Sequence, residues 1–333
     1  MKLTALEQVE KRVGKPVGPR DLKVIDYVDE HAERWLSHVH FGFLAFGNQD
    51  RLELTLAGGQ AGFASVVDQT TVRMPVVSLD DASLCEEGFS FGALFMVSGM
   101  DETLRLNGVV LKKSDDSILL RVQECYLHCA KSLRRSEFWT PTGPAEAAGD
   151  VAGFIGQARF MVLASMNSSG QADVSPKGDP AGLLLQQQGD GICFADRPGN
   201  RRIDSFRNII EQPRVSLMAF IPGSKGVLCF NGEAEILADE RLADRFQVQG
   251  KTPHLVTRVM PESVRVTSSQ AIAAAALWPA KAGPNDLVPS EIFKAHVKNS
   301  KESSLQAKVA RAAVSLPGAM EKGLEMDYKK NMY

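Results

Sequence analysis

Short apolar runs separated by small polar clusters dominate the chain. Phe41-Gly42-Phe43-Leu44-Ala45-Phe46 and Phe160-Met161-Val162-Leu163-Ala164-Ser165 are near-continuous apolar runs, and Gly191-Ile192-Cys193-Phe194 is a shorter one. Asn167-Ser168-Ser169-Gly170 and Gln188-Gly189-Asp190-Gly191 are turn-forming breaks between such runs. Short β-prone runs at this spacing, with few long stretches of helical period between them, predict antiparallel strands in small barrels. Helical spacing appears in a few places. Residues 21–28 lead into 33–36 with apolar positions three and four apart, and residues 150–155 are the counterpart in the second half. Residues 239–246 predict an inserted helix. The tail, 290–333, has helix-forming composition, with Ser290 as an N-cap before Glu291. We expect it either to pack over the second half or to mediate self-association.

The pattern repeats. Ala45 in its apolar run corresponds to Ala164, 119 residues later; Ala61-Gly62-Phe63 corresponds to Ala181-Gly182-Leu183; Leu104-Arg105-Leu106-Asn107-Gly108 corresponds to Leu228-Cys229-Phe230-Asn231-Gly232, 124 residues later. Ordered matches at nearly constant separation predict a duplicated fold, although generic strand patterning in any β-rich chain is the competing explanation. The expected fold class is mainly β with flanking helices, as two tandem split β-barrels paired into an intramolecular pseudo-dimer. The expected divisions are an N-terminal barrel over 20–140, a C-terminal barrel over 145–285 and a helical tail over 286–333. The seam falls at Thr140-Pro141-Thr142-Gly143-Pro144, which cannot continue a helix or a central strand.

Composition narrows the function. Apolar residues make up 44% and charged residues 23% of 333 positions, an ordinary globular mix. The 38 bases against 40 acids leave a formal charge of −2, so no nucleic-acid partner is expected from bulk charge. No apolar run approaches the roughly 20 residues of a membrane span, so no membrane partner is expected. The first residues carry charges where a signal peptide is apolar. Five scattered cysteines, an odd number, argue against a disulfide framework and for a reducing, cytoplasmic setting.

One segment departs from the balanced charge. Residues 196–214 hold five arginines against three acids. Pro198-Gly199-Asn200 forces a turn, after which a helix is expected to begin near Asn200 and run to about Glu211, with Arg201 and Arg202 in its first turn. Helix N-termini and planar guanidinium forks both suit phosphate oxygens. Upstream, Asp173-Val174-Ser175-Pro176-Lys177-Gly178 ends another strand, where Gly178 lets the chain approach a ligand closely. A polar surface turn with solvated arginines is the alternative for both segments.

Val174-Ser175-Pro176-Lys177-Gly178, Phe194-Ala195-Asp196-Arg197-Pro198-Gly199-Asn200-Arg201-Arg202-Ile203-Asp204-Ser205 and Asn208-Ile209-Ile210-Glu211-Gln212-Pro213 resemble the pyridoxamine 5′-phosphate oxidase-related, FMN-binding split-barrel family. The resemblance covers about 151–281, and 20–140 less closely. It implies six-stranded antiparallel barrels that pair around FMN, and a flavin-dependent oxidoreductase acting on a small substrate that the residues do not identify. A non-catalytic flavin or haem module is the alternative, as is a deazaflavin in the same socket. The resemblance puts the phosphate on Lys177 and on Arg201 or Arg202, with Ser175 and Asn200 as neighbours.

The first half lacks this loop. The aligned residues 76–88 hold four acids and no base, which repels a phosphate. It keeps Glu124-Cys125-Tyr126-Leu127-His128-Cys129-Ala130-Lys131-Ser132-Leu133-Arg134-Arg135, similar to the family's terminal strand, whereas the second half's counterpart, 268–278, lacks the charges. We therefore expect one composite flavin site per chain, with His128 and Lys131 of the first half facing the second half's loop. A solvated terminal strand is the competing reading of Lys131, Arg134 and Arg135. No metal site is expected, because Cys125, His128 and Cys129 have no second ligand cluster nearby in sequence; the cysteines are expected to be buried and structural. A haem would draw its axial ligand from His128, His254 or His296. Pairing within one chain leaves a monomeric pseudo-dimer or a homodimer.

Overall fold

The computed structural model describes residues 1–14, 22–142, 149–199 and 203–314, with residues 323, 326, 332 and 333. Its elements run β1 (Lys2–Leu3), α1 (Leu6–Val13), α2 (Glu30–His38), β2 (Phe41–Gly47), β3 (Leu52–Gly58), β4 (Ser65–Asp68), β5 (Thr71–Pro75), β6 (Ser90–Met96), β7 (Thr103–Lys113), β8 (Ser117–His128) and α3 (Lys131–Ser136). The second half follows with α4 (Val151–Gln157), β9 (Phe160–Met166), β10 (Ala172–Gly178), β11 (Gln186–Gln188), β12 (Gly191–Ala195), α5 (Asp204–Glu211), β13 (Arg214–Phe220), β14 (Gly226–Leu237), α6 (Glu240–Asp244), β15 (Val256–Ser268) and α7 (Gln270–Ala274). The tail adds α8 (Pro289–Asn299) and α9 (Leu305–Val314).

Two antiparallel sheets form, and their strand orders are the same. One runs β3-β2-β6-β7-β8-β5-β4 and the other β10-β9-β13-β14-β15-β12-β11, with β1 added alongside β14. The matched Asn-Gly pairs explain themselves here. Register slips at Asn107/Gly108 in one sheet and at Asn231/Gly232 in the other, so both barrels bulge at the same place. A Cβ on Gly108 would lie 1.9 Å from the Arg121 carbonyl oxygen, and one on Gly232 2.1 Å from that of Met260, so only glycine fits either bulge. The shared order and shared bulge make the chain a tandem duplication of split barrels. Each sheet exceeds the six strands expected, because the short β4 and β11 hairpin arms and β1 join the edges and sides.

The apolar runs are continuous because both strand faces are buried. In β2, Leu44 and Phe46 fill the first barrel, while Phe41, Phe43 and Ala45 point the other way into a core shared by both barrels. In β9, Met161 and Leu163 fill the second barrel, while Phe160, Val162 and Ala164 join the shared core. Ring centroids of Phe43 and Phe160 lie 5.6 Å apart, and those of Phe43 and Phe220 5.3 Å apart. Each such buried aromatic contributes about 1.5–3 kcal/mol, so the barrels are held as one body.

The chain ends exchange barrels. β1 pairs with β14, and Leu3 and Val9 enter the second barrel's core. Leu287 and Ile292 enter the first barrel's core, so α8 packs over the first barrel and not the second. Residues 22–28 are not a helix. Ile25 exchanges backbone hydrogen bonds with Cys125 and the Val28 amide donates to the Gln69 carbonyl, so β8 and the neighbouring turn claim donors a helix would need. Asp150 caps α4 through Gly153, in line with the helix expected there. No described helix is long and apolar enough to cross a membrane.

Candidate functional site

A cleft of about 870 Å³ opens where the second barrel's basic segment faces the end of the first barrel. Strand β10 supplies one wall, with Ser175 and Lys177 lining it. The first barrel supplies the opposite wall, from His128 and Cys129 at the end of β8 through Lys131, Ser132 and Arg135 of α3. Four of the expected site residues, Ser175, Lys177, His128 and Lys131, are thus brought to one cavity. Asn200, Arg201 and Arg202 lie outside the described residues. Helix α5 spans Asp204–Glu211 among the described residues, with Ile203 as its N-cap.

The two walls meet through glycine. β10 is an edge strand, and α3 covers it. A Cβ on Gly178 would sit 1.9 Å from the Ser132 carbonyl oxygen. Gly178 therefore admits the other barrel's backbone as well as lining the cleft, a closer approach than the sequence suggested. Arg135 closes the junction, its Nε donating to the Gly178 carbonyl at 3.0 Å and its Nη1 to the Pro198 carbonyl at 3.1 Å. The charges after His128 are thus on a helix docked against the partner barrel, and not on a solvated strand. Deeper in, Arg105 of β7 is 1% exposed and donates to Tyr126 Oη at 2.9 Å, to Asp173 Oδ1 at 2.6 Å and to the Val174 carbonyl. Asp173 Oδ2 in turn accepts from Ser175 Oγ at 3.0 Å, so a first-barrel arginine orients a second-barrel serine.

Charge in the cleft is one-sided. Lysines 131, 177 and 251 and arginines 105, 135 and 197 line it, joined by Lys11 and Arg12 from α1, against Asp179, Asp196 and Asp204. Burial lowers the Lys177 pKa below the ordinary lysine value; Asp196 opposes that shift, and Arg135 adds to it. The ammonium also lies 5.9 Å from the Phe194 ring centroid. Burial likewise pushes up the Asp179 and Asp196 carboxyls. Arg197 donates from Nε to both Asp179 oxygens, at 3.0 and 2.8 Å. Its Nη2 and the Ser132 hydroxyl are buried with no hydrogen-bond partner among the described residues. Unsatisfied buried donors in a cationic cavity suit an anion. Sequence reasoning missed Arg105, Lys251 and the α1 pair, because only tertiary contacts carry them here; Arg135 and Arg197 lie in stretches the sequence had marked.

Four cysteines are buried, but Cys129 is half-buried and lines the cleft. His128 and His254 also line it. His296 does not: it is fully buried on α8, with Nε2 3.3 Å from Asp29 Oδ1.

Residues 148–268 match the family model described as pyridoxamine 5′-phosphate oxidase. The match covers the second barrel, including Ser175, Lys177 and the basic segment, and stops short of the first barrel. Solved structures similar to the chain include HupZ of Group A Streptococcus, at 18% identity over 36% of this chain and 93% of that one, TM-score 0.29. HutZ, the haem storage protein of Vibrio cholerae, is 17% identical over 37% and 94%, TM-score 0.27. A pyridoxamine 5′-phosphate oxidase-related, FMN-binding protein of Nostoc punctiforme is 12% identical over 34% and 76%, TM-score 0.24. Each spans about a third of this chain, and none bears on what this cleft holds. The sequence matches no curated protein.

Proposed function

We propose that the cleft binds FMN and that the protein is a flavin-dependent oxidoreductase acting on a small substrate. The observation that carries this reading is the one-sided charge of a cavity built jointly by the second barrel and the first barrel's terminal stretch. A volume of about 870 Å³ lies within the range of cofactor pockets, roughly 300–1,000 Å³. The unsatisfied Arg197 Nη2 and Ser132 hydroxyl fit a ligand rich in acceptors. Lys177, with Arg201 and Arg202, holds the phosphate, and Ser175 and Asn200 flank it. His128 and Lys131 face the ring or the substrate from the first barrel. When bound, flavin supplies the hydride or electron chemistry, and the chain's task is to hold and tune it. A positive wall stabilises added negative charge and so favours reduction.

Haem is the second reading, because two imidazoles, His128 and His254, line the same cleft and could supply an axial ligand. The absorption spectrum of the purified protein separates the two. Flavin gives paired bands in the blue and near-ultraviolet, and haem gives a Soret band. Oxidation of NADH or NADPH with added FMN tests turnover, and a colourless protein that also fails to take up FMN overturns the flavin reading. Pairing within one chain makes one chain and one FMN the working unit; two equivalent flavins per chain would refute the composite site.

A further inference from the structure

Two residues remote in sequence from both barrels sit in this cleft. The Met332 carbonyl accepts from Arg135 Nη1 at 2.9 Å, and the main-chain oxygen of Tyr333 accepts from Lys251 Nζ at 2.7 Å. The Arg197 guanidinium carbon lies 5.7 Å from the centroid of the Tyr333 ring. Tyr333 is half-buried and lines the cavity. Burial raises its phenol pKa, with Asp179 adding to the rise and Arg135 and Arg197 opposing it. Neither sheet uses these residues, and neither barrel core includes them.

We propose that Met332–Tyr333 is an internal occupant of the cleft, engaging Arg135, Arg197 and Lys251 until an anionic ligand displaces it. The proposal rests on the reading of this cavity as an anion site. Tyr333 lines the same cavity as Lys177, Ser175 and His128, so occupant and ligand compete for that space and for the cations around it. The exchange favours the ligand, because a phosphate presents several charged oxygens at once and suits the planar fork of an arginine, which a single main-chain oxygen does not. The segment therefore lowers apparent affinity without abolishing binding. Its effect equals the fraction of molecules whose cleft is open.

Two measurements on the full-length protein, a variant ending at Asn331 and Tyr333→Ala test this. The first is the dissociation constant for FMN. The second needs no flavin: the rate at which dithiobis(nitrobenzoate), an anionic aromatic disulfide, labels Cys129, the one cysteine that is not buried. Cys129→Ser supplies the background, and melting temperatures show that each variant is folded. We expect FMN to bind about five- to tenfold more tightly to the variant ending at Asn331, as an open fraction of about 0.1–0.2 in the full chain implies, and to gain less in Tyr333→Ala, which keeps both main-chain acceptors. Cys129 labelling accelerates by a similar factor. Unchanged labelling overturns the proposal, whatever FMN does. Faster labelling with weaker FMN binding also overturns it, since Tyr333 would then be a wall of the site. Faster labelling with no FMN binding to any form leaves the occupant standing and removes the flavin reading.

Discussion

The molecule contains the same junction twice, and only one copy is open. At each, a short helix that follows one barrel's last long strand docks against an edge strand of the other barrel. At the cleft, α3 lies on β10, and a Cβ on Gly178 would strike Ser132. At the counterpart, α7 lies on β3, and a Cβ on Gly58 would lie 2.0 Å from the Ala271 carbonyl oxygen. The backbone contact is the same, but the chemistry around it differs. Helix α3 begins at Ala130, which has no capping side chain, and Lys131 and Ser132 face the cavity. Helix α7 is closed by Ser269, whose hydroxyl accepts from the Ile272 amide, and by Asp80 of the degenerate loop, whose Oδ1 accepts from the Ala271 amide at 2.7 Å. A carboxylate from the chain itself thus occupies the pseudo-equivalent position. Duplication preserved the geometry that joins the barrels, while the side chains at the two junctions diverged.

Five variants sharpen or break this contrast, beginning with the largest effect. Arg105→Leu leaves Asp173 buried without its partner and should lower stability by about 3–5 kcal/mol in chemical denaturation. Cys229→Ala, at the matching position of β14, removes no charge and should cost about 1 kcal/mol. Equal losses would show that the two junctions are not electrostatically distinct. Combined charge reversal of Lys177, Arg201 and Arg202 should weaken FMN binding more than about a hundredfold by fluorescence titration, at little cost in melting temperature. Retained affinity would remove the phosphate assignment.

Smaller effects follow at the closed junction and in pH dependence. Asp80→Ala deletes one hydrogen bond to α7 and should cost about 0.5–1.5 kcal/mol, leaving FMN affinity unchanged. A change in affinity would mean that the two junctions communicate. Lys177 has a lowered pKa, so its charged form is the one that burial penalises. Between that lowered value and the ordinary 10.5, the unfolded chain holds a proton the folded chain has released, so stability of the ligand-free protein rises with pH in that window. Affinity for FMN should fall by about tenfold over the same window, and Lys177→Arg should carry the fall to higher pH. A pH profile identical in the Lys177→Arg variant would place the titrating group elsewhere.

Legibility was uneven for physical reasons. The repeat was readable because strands buried on both faces need unbroken apolar runs, as at Phe41–Phe46, and because the close carbonyls at these two bulges leave room only for Gly108 and Gly232. The α4 helix was readable from the apolar spacing over 150–155, and Asp150 caps it locally. Residues 22–28 were misread: their apolar spacing matches a helix, but their hydrogen bonds go to Cys125 and Gln69, which no local pattern reveals. The strand-like reading of residues 131–136 failed because they form a helix docked on the other barrel's edge strand.

Ser175, Lys177, His128 and Lys131 stood out by residue type and by their place beside turns and strand ends, which are properties of nearby sequence. Arg105, Lys251 and Tyr333 stood out by nothing, and Arg135 only as one charge of a polar stretch. Each acquires its role from a neighbour dozens to hundreds of positions away, across a contact made only when the barrels dock and the tail returns. Local patterning thus dictated two like barrels with unlike loops. Docking alone decided which side chains share a cavity, because that depends on distances between segments that chain order does not encode.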